Sequence, residues 1–304
     1  MPRVLVSDSL APQGLEIFAQ ARGIEVDYAP GLSPDALLEH IREADGLVIR
    51  SGTKVTREVL EAAPRLRIVG RAGIGVDNVD MPAATERGIV VVNTPSGNNV
   101  TTAEHAIALL VSLARHIPQA TASMKAGKWE KSAFTGMELS NRTLGVIGLG
   151  NIGRVVAQKA HGLGMRVIAF DPQVPAEIAA KLDVDLVDLD TLLARADALT
   201  VHVPKTKDTT GLLGAAAFAK CKRGVLVVNA ARGGIIDEKA LLAALESGQV
   251  GGAGLDVFEQ EPPSKDHPLV KHPKVICTPH LGASTEQAQL NVAIQVAEQV
   301  RDFL

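Results

Sequence analysis

T-L-G-V-I-G-L-G-N-I-G, residues 143–153, is followed by a helix-length stretch and then by M-R-V-I-A-F-D-P, residues 165–172. An apolar strand, Thr143 to Ile147, runs into Gly148, Gly150 and Gly153 at G-x-G-x-x-G spacing. The first glycine permits a tight turn, the second lets backbone approach a pyrophosphate, and the third lets the helix pack close on the strand. The phosphates then sit at the N-terminus of that helix. A second apolar strand, Arg166 to Phe170, leads to Asp171, 18 positions beyond Gly153 (171 − 153), where the ribose hydroxyls of a dinucleotide are expected. Asp171 repels a 2′-phosphate and is followed by Pro172 rather than an arginine, so the expected cofactor is NAD rather than NADP.

Outward from this turn, strand-like and helix-like patterns alternate from end to end. Arg3 to Ser7, Ile24 to Tyr28, Gly46 to Arg50, Arg67 to Gly70 and Ile89 to Val92 read as buried strands, separated by helical stretches such as Pro34 to Glu43, which Ser33 can cap. One long helix, about Thr101 to Ala126, precedes the Thr143 strand. Further strands follow at Ala198 to Val201, Val225 to Asn229, Gly251 to Asp256 and Val275 to Cys277. Such alternation means parallel sheets with helices on both faces. Thr-Pro follows a strand twice, in V-V-N-T-P at 91–95 and V-I-C-T-P at 275–279, and these read as two crossings between domains. The final helix, Thr285 to Leu304, then returns to the first domain. The expected fold is α/β, with two doubly wound parallel-sheet domains. A Rossmann NAD-binding domain, residues 97–280, is inserted into a discontinuous flavodoxin-like substrate domain, residues 1–96 and 281–304.

With 304 residues the chain is too long for one modest core, in keeping with two domains. A formal net charge of −3 and the absence of any Lys/Arg run argue against nucleic acid or an anionic membrane as partner. The longest apolar stretch, Ala106 to Ala114, is interrupted by Ser112 and is far short of a membrane span. Cys221 and Cys277 lie in or beside apolar segments without metal-ligand spacing, so they are expected to be reduced thiols, and no metal is expected. Because the first strand begins almost at Met1, no targeting peptide is expected, and the expected location is cytoplasmic.

Hydride chemistry on an alcohol needs a base for the hydroxyl proton and a cation for the substrate's anion. N-A-A-R-G-G, residues 229–234, puts Arg232 just beyond a strand, where its guanidinium can fork onto a carboxylate. G-L-D-V-F-E-Q-E-P-P, residues 254–263, offers Glu259 or Glu261. T-P-H-L-G-A-S-T, residues 278–285, offers His280, whose unperturbed pKa suits proton exchange near neutrality once a carboxylate orients it.

Together with G-L-G-N-I-G these segments resemble the signature set of the D-isomer-specific 2-hydroxyacid dehydrogenases, and the resemblance covers essentially the whole chain. R-S-G-T-K-V-T (50–56), G-R-A-G-I-G-V-D-N-V-D (70–80), N-T-P-S-G-N-N (93–99) and I-P-Q-A-T-A-S-M-K-A-G-K-W-E (117–130) narrow it to members acting on a phosphorylated 2-hydroxy acid. The resemblance implies a catalytic trio of Arg232, Glu261 and His280, with Glu261 chosen as the acid immediately before Pro-Pro. It implies cofactor contacts at Gly148, Gly150, Asn151, Ile152, Gly153, Asp171, His202, Val203, Pro204, Ala230, Ala231, Arg232, Asp256, His280, Gly282 and Ala283. For the substrate it implies Ser51 and the Arg71, Ala72, Gly73, Ile74, Gly75 turn, with Arg50 and Lys54 as phosphate cations and Lys131 supplied from the partner subunit of a homodimer formed through the NAD-binding domains. Ile74 and Val203 stand where some relatives carry hydroxyl residues. The chain ends at Leu304, where many relatives continue into regulatory domains, so a short form or a trimmed chain is expected. The rival expectations are a dehydrogenase of glyoxylate, hydroxypyruvate or another D-2-hydroxy acid and, more remotely, a dinucleotide-sensing corepressor.

If Asp171 accepts bonds from the ribose hydroxyls, kcat/KM with NAD exceeds that with NADP, and Asp171→Ala loses much of the difference. Equal kcat/KM with both cofactors in the unmodified enzyme would contradict this.

Overall fold

The computed structural model describes residues 1–304. Its strands are β1 (Arg3–Val6), β2 (Glu25–Tyr28), β3 (Gly46–Ile49), β4 (Ile68–Arg71), β5 (Val90–Asn93), β6 (Thr143–Ile147), β7 (Arg166–Phe170), β8 (Asp185–Leu186), β9 (Ala198–Val201), β10 (Val225–Asn229), β11 (Val250–Leu255) and β12 (Val275–Cys277). The chain divides into two compact units, residues 1–98 with 283–304, and residues 99–282. No helix is long and apolar enough to cross a membrane.

In the first unit the order β2-β1-β3-β4-β5 is the doubly wound, flavodoxin-like one. Every pairing in it is parallel. Strand β3 is buried at all four positions, as a strand covered on both faces must be. Ser33 caps the helix Pro34–His40, its Oγ accepting from the Ala36 amide at 3.3 Å. The helix Glu286–Phe303, capped by Thr285, buries Ala288, Val292, Ala293, Val296, Ala297 and Val300. Val292, Ala293, Val296, Ala297 and Val300 join Val4, Val6, Val48 and Ile68 in one apolar cluster. Glycine lets this helix come close: a Cβ on Gly70 of β4 would lie 2.7 Å from Cγ2 of both Val296 and Val300.

The second unit carries the order β12-β11-β10-β9-β6-β7-β8, a Rossmann sheet with one strand added at the β12 edge. The two-residue strand β8 was not expected from the sequence; at two residues it carries too little periodicity to read. The order reverses at β6, which pairs with β7 on one side and β9 on the other. Ligands of open α/β sheets bind at such a switch point, beyond the carboxyl ends of the strands.

The single helix expected over Thr101 to Ala126 is two helices, Asn99–Arg115 and Ile117–Lys125. Pro118 is the cause. In a continuous helix its ring would strike the Ala114 carbonyl. Instead His116 turns left-handed (φ 54°) and the Ala114 oxygen accepts from the Met137 amide at 2.7 Å. The first of these helices packs on the helix Asn151–Gly162 and on β10, β11 and β12. Gly254 of β11 admits it, since a Cβ there would lie 3.1 Å from Cβ of Leu109 and 3.3 Å from Cδ1 of Leu113.

Gly70→Ala overpacks the seat of the final helix and should lower stability by ~1–3 kcal/mol. Chemical denaturation followed by circular dichroism measures it. An unchanged unfolding midpoint would mean that the helix is not held against β4 as described.

Candidate active site

The glycine fingerprint folds as its chemistry requires. Gly148 is left-handed (φ 93°) and donates its N–H to the Phe170 carbonyl at 2.9 Å, tying the end of β6 to the end of β7. A Cβ on Gly153 would collide with the Gly148 carbonyl, so only glycine lets the helix Asn151–Gly162 start this close to the strand. Gly150 is the N-cap and brings no side-chain oxygen to the first turn. That is the cradle a pyrophosphate completes. The Asp171 carboxylate is aimed by two amides, Leu149 N–H at 2.8 Å and Gln173 N–H at 2.9 Å, so it meets the ribose position preset. These residues fit a dinucleotide.

Across the switch point, β9 leads into His202, Val203 and Pro204. His202 Nε2 bonds to Thr200 Oγ1 at 2.8 Å, and burial pushes the imidazole down to about 4, so it stays neutral. Val203 lies against the Gly148 turn, where a Cβ on Gly148 would come within 2.7 Å of Val203 Cγ1.

Beyond β10, the buried Asn229 shapes the arginine turn. Its Oδ1 accepts from the Ala231 amide at 3.0 Å and its Nδ2 donates to the Arg232 carbonyl at 2.9 Å. Ala230 is buried and Arg232 half-buried, with Nη1 donating to the Ala231 carbonyl at 2.7 Å. A Cβ on Gly233 would collide with the Phe258 carbonyl, so this glycine lets the arginine turn press against the loop that carries the acids.

That loop resolves the choice between its two glutamates. Glu259 is exposed and turned toward Glu238, whose Oε1 accepts from the Glu259 amide at 2.8 Å. Glu261 instead places Oε2 2.8 Å from His280 Nδ1, while its Oε1 accepts from the Phe258 amide at 3.1 Å. A carboxylate only accepts, so Nδ1 carries the proton and Nε2 is the basic nitrogen. The pair remains open, with side-chain exposures of 47% for His280 and 38% for Glu261. Its electrostatics are reciprocal. The Glu261 hydrogen bond raises the His280 pKa against partial burial, with Asp256 assisting and the Arg232 charge opposing. Burial pushes Glu261 up, but the bonds from His280 and the Phe258 amide outweigh it and hold the carboxyl below its usual range.

His280 itself is left-handed, at φ 54°. Asp256, at the end of β11, holds it there. Its carbonyl accepts from the His280 amide at 2.9 Å, while Oδ1 accepts from Leu281 N–H at 2.7 Å and Oδ2 from Gly282 N–H at 2.8 Å. The Asp256 carboxylate is fully buried, so it serves the loop from within. Ala283 falls in the other unit from the remaining cofactor positions.

In the first unit, Asp8 and Asn78, which the sequence reading did not single out, shape the turn after β3. Asp8 Oδ2 accepts from the amides of Arg50 at 2.6 Å and Thr53 at 3.1 Å, and Asn78 Nδ2 donates to both of their carbonyls at 2.7 Å. Ser51 and Lys54 are exposed on this turn, and Arg50 Nη1 reaches the Ser9 carbonyl at 3.3 Å. The turn from Arg71 through Ala72, Gly73, Ile74 and Gly75 is anchored by Asn93, whose Nδ2 donates to the Ile74 carbonyl at 2.6 Å. Lys131 is exposed at the start of a short 3-10 turn in the second unit. Asn229 and Asp8 were missed for the same reason: an isolated polar residue near a strand carries no spacing signal.

The family model described as D-isomer specific 2-hydroxyacid dehydrogenase, NAD binding domain, matches residues 107–282. A D-3-phosphoglycerate dehydrogenase of Archaeoglobus fulgidus is 52% identical over 298 residues, covering 98% of this chain and 56% of the relative. The chain thus spans about half the length of the curated relatives it matches. Among solved structures, a protein from Thermus thermophilus aligns with a TM-score of 0.90 at 35% identity, covering 98% of this chain and 95% of its own. A glyoxylate reductase from Paecilomyes thermophila aligns with a TM-score of 0.90 at 30% identity, covering 99% and 94%.

Because Glu261 favours the imidazolium, its removal lowers the His280 pKa. The neutral base then predominates from a lower pH, so Glu261→Gln should shift the acidic limb of the kcat/KM profile downward. An unmoved limb would dissociate Glu261 from the titration of His280.

Proposed function

The chain belongs to the D-isomer specific 2-hydroxyacid dehydrogenase family, and we propose that it oxidises 3-phospho-D-glycerate to 3-phosphohydroxypyruvate with NAD, the first step toward serine. NAD, when bound, supplies the acceptor for the hydride that leaves C2. The observation that carries the reading is the 2.8 Å contact between His280 Nδ1 and Glu261 Oε2. It leaves Nε2 basic and accessible, so His280 takes the C2 hydroxyl proton and Glu261 stabilises the imidazolium that results. Arg232, whose charge bears on His280, serves as the carboxylate clamp. The residues that would hold the dinucleotide are Gly148, Gly150, Asn151, Ile152, Gly153, Asp171 and Val203.

Support for the phosphorylated substrate comes from the cations Arg50, Lys54 and Lys131, and from the D-3-phosphoglycerate dehydrogenase relative. We read the protein as a homodimer formed through the NAD-binding domain. In that domain Trp129 is 81% exposed, Met124 54% and Ile117 47%, three apolar side chains within the segment 117–129 that such an interface would cover. We read the location as cytoplasmic, in keeping with two unbridged cysteines.

A panel of 3-phosphohydroxypyruvate, hydroxypyruvate, glyoxylate and pyruvate at one NADH concentration tests the reading. The highest kcat/KM should fall on the phosphorylated acid. A preference for glyoxylate would move the chain toward the reductase named above, and turnover of none would favour a dinucleotide-sensing role.

If Arg50, Lys54 and the partner subunit's Lys131 bind the phosphate, removing one loses a charge-assisted contact worth roughly 1.5–3 kcal/mol, about tenfold to a hundredfold in kcat/KM. Arg50→Ala and Lys131→Ala should show this loss with the phosphorylated acid and little change with hydroxypyruvate. Equal losses on both substrates would assign these residues to folding or closure instead.

A further inference from the structure

The helix Asn99–Arg115 buries Thr102, Ala103, Ala106, Leu109, Leu110, Leu113 and Ala114, and its neighbour on that face, His105, is polar. His105 is 19% exposed at its side chain and reaches the end of β11, where Nε2 lies 3.2 Å from Asp256 Oδ1 and 3.0 Å from Thr278 Oγ1. The Thr278 hydroxyl donates to Asp256 Oδ1 at 2.6 Å, so its oxygen can only accept from the ring. The Asp256 carboxylate also only accepts. Both neighbours therefore require the proton on Nε2, and the imidazole acts here as a donor.

We propose that His105 is a positioning residue for the His280 base: its Nε2–H locks the buried Asp256 carboxylate, which fixes the backbone that presents the imidazole. The proposal rests on the dehydrogenase reading above. Its chain is continuous, from His105 to Asp256, from Asp256 to the amides of Leu281 and Gly282, and through the Asp256 carbonyl to the amide of His280 itself. A left-handed histidine is held against a conformational penalty and persists only where its surroundings over-determine it. Burial pushes Asp256 up, yet the bonds from His105, Thr278 and the two amides hold the carboxyl below its usual range. A misplacement of the base by about 1 Å can cost a hundredfold in rate. The ionisable groups bearing on His280 are Glu261, Asp256 and Arg232. On the helix, the neighbouring Glu104 pairs outward with Lys159 and takes no part.

The test compares His105→Phe, which fills the space without a donor, with His105→Gln, whose amide N–H can reach the Nε2 position. NMR titration of the His280 imidazole in the full chain, assigned against His280→Gln, reads the aim of the base without any substrate. His105→Phe should lower the His280 titration midpoint by about half a pH unit or more as the Glu261 pairing loosens. Its kcat should fall about tenfold or more with the KM for NAD unchanged. His105→Gln should restore both. If His280 titrates as in the unmodified protein in both variants while thermal stability falls, His105 is a packing residue and the proposal is wrong. A midpoint shifted equally in both variants also overturns it, because the donor would then not be what matters. An unmodified chain that turns over no 2-oxo acid defeats the functional reading instead, and the titration still decides this one.

Discussion

A fully buried carboxylate must have its oxygens satisfied, or burial costs several kcal/mol. Asp256 meets that requirement with the amides of Leu281 and Gly282, the Thr278 hydroxyl and the His105 ring. The same bonds hold the backbone after β12 at the end of β11, where His280 is left-handed and its ring meets Glu261. The geometry of the His280–Glu261 pair is thus tied to where one charge is buried.

Close backbone approach is the second organising constraint, and glycine makes it possible at each point that matters. Gly153 seats the dinucleotide helix on the Gly148 turn, Gly233 brings the arginine turn against the Phe258 loop, and Gly254 draws the helix bearing His105 down onto β11. A side chain at Gly254 would press on Leu109 and Leu113 of that same helix.

Much of this was legible in the sequence because it has a period or a spacing. The apolar runs of β6, β7, β9, β10 and β12 were read residue for residue, since strands covered on both faces need continuous apolar sequence. The glycine fingerprint and Asp171 were readable as a motif. The break at His116 was not, because the apolar periodicity runs straight through it and only Pro118 signals it. The choice between Glu259 and Glu261 rested on resemblance, and the distinction in space comes from Glu238, which draws Glu259 away through contacts 21 positions apart (259 − 238). Asn229, Asp8 and His105 left no trace in the sequence, for each is an isolated polar residue whose partners carry no spacing signal.

The central claim is that the His280–Glu261 pair is the proton acceptor for oxidation at C2. Single-turnover kinetics of His280→Ala at saturating NAD, with NADH binding measured on the same preparation, tests it most directly. The account predicts a chemical step slowed by about a hundredfold or more, with NADH still bound. A chemical step as fast as in the unmodified enzyme would contradict it.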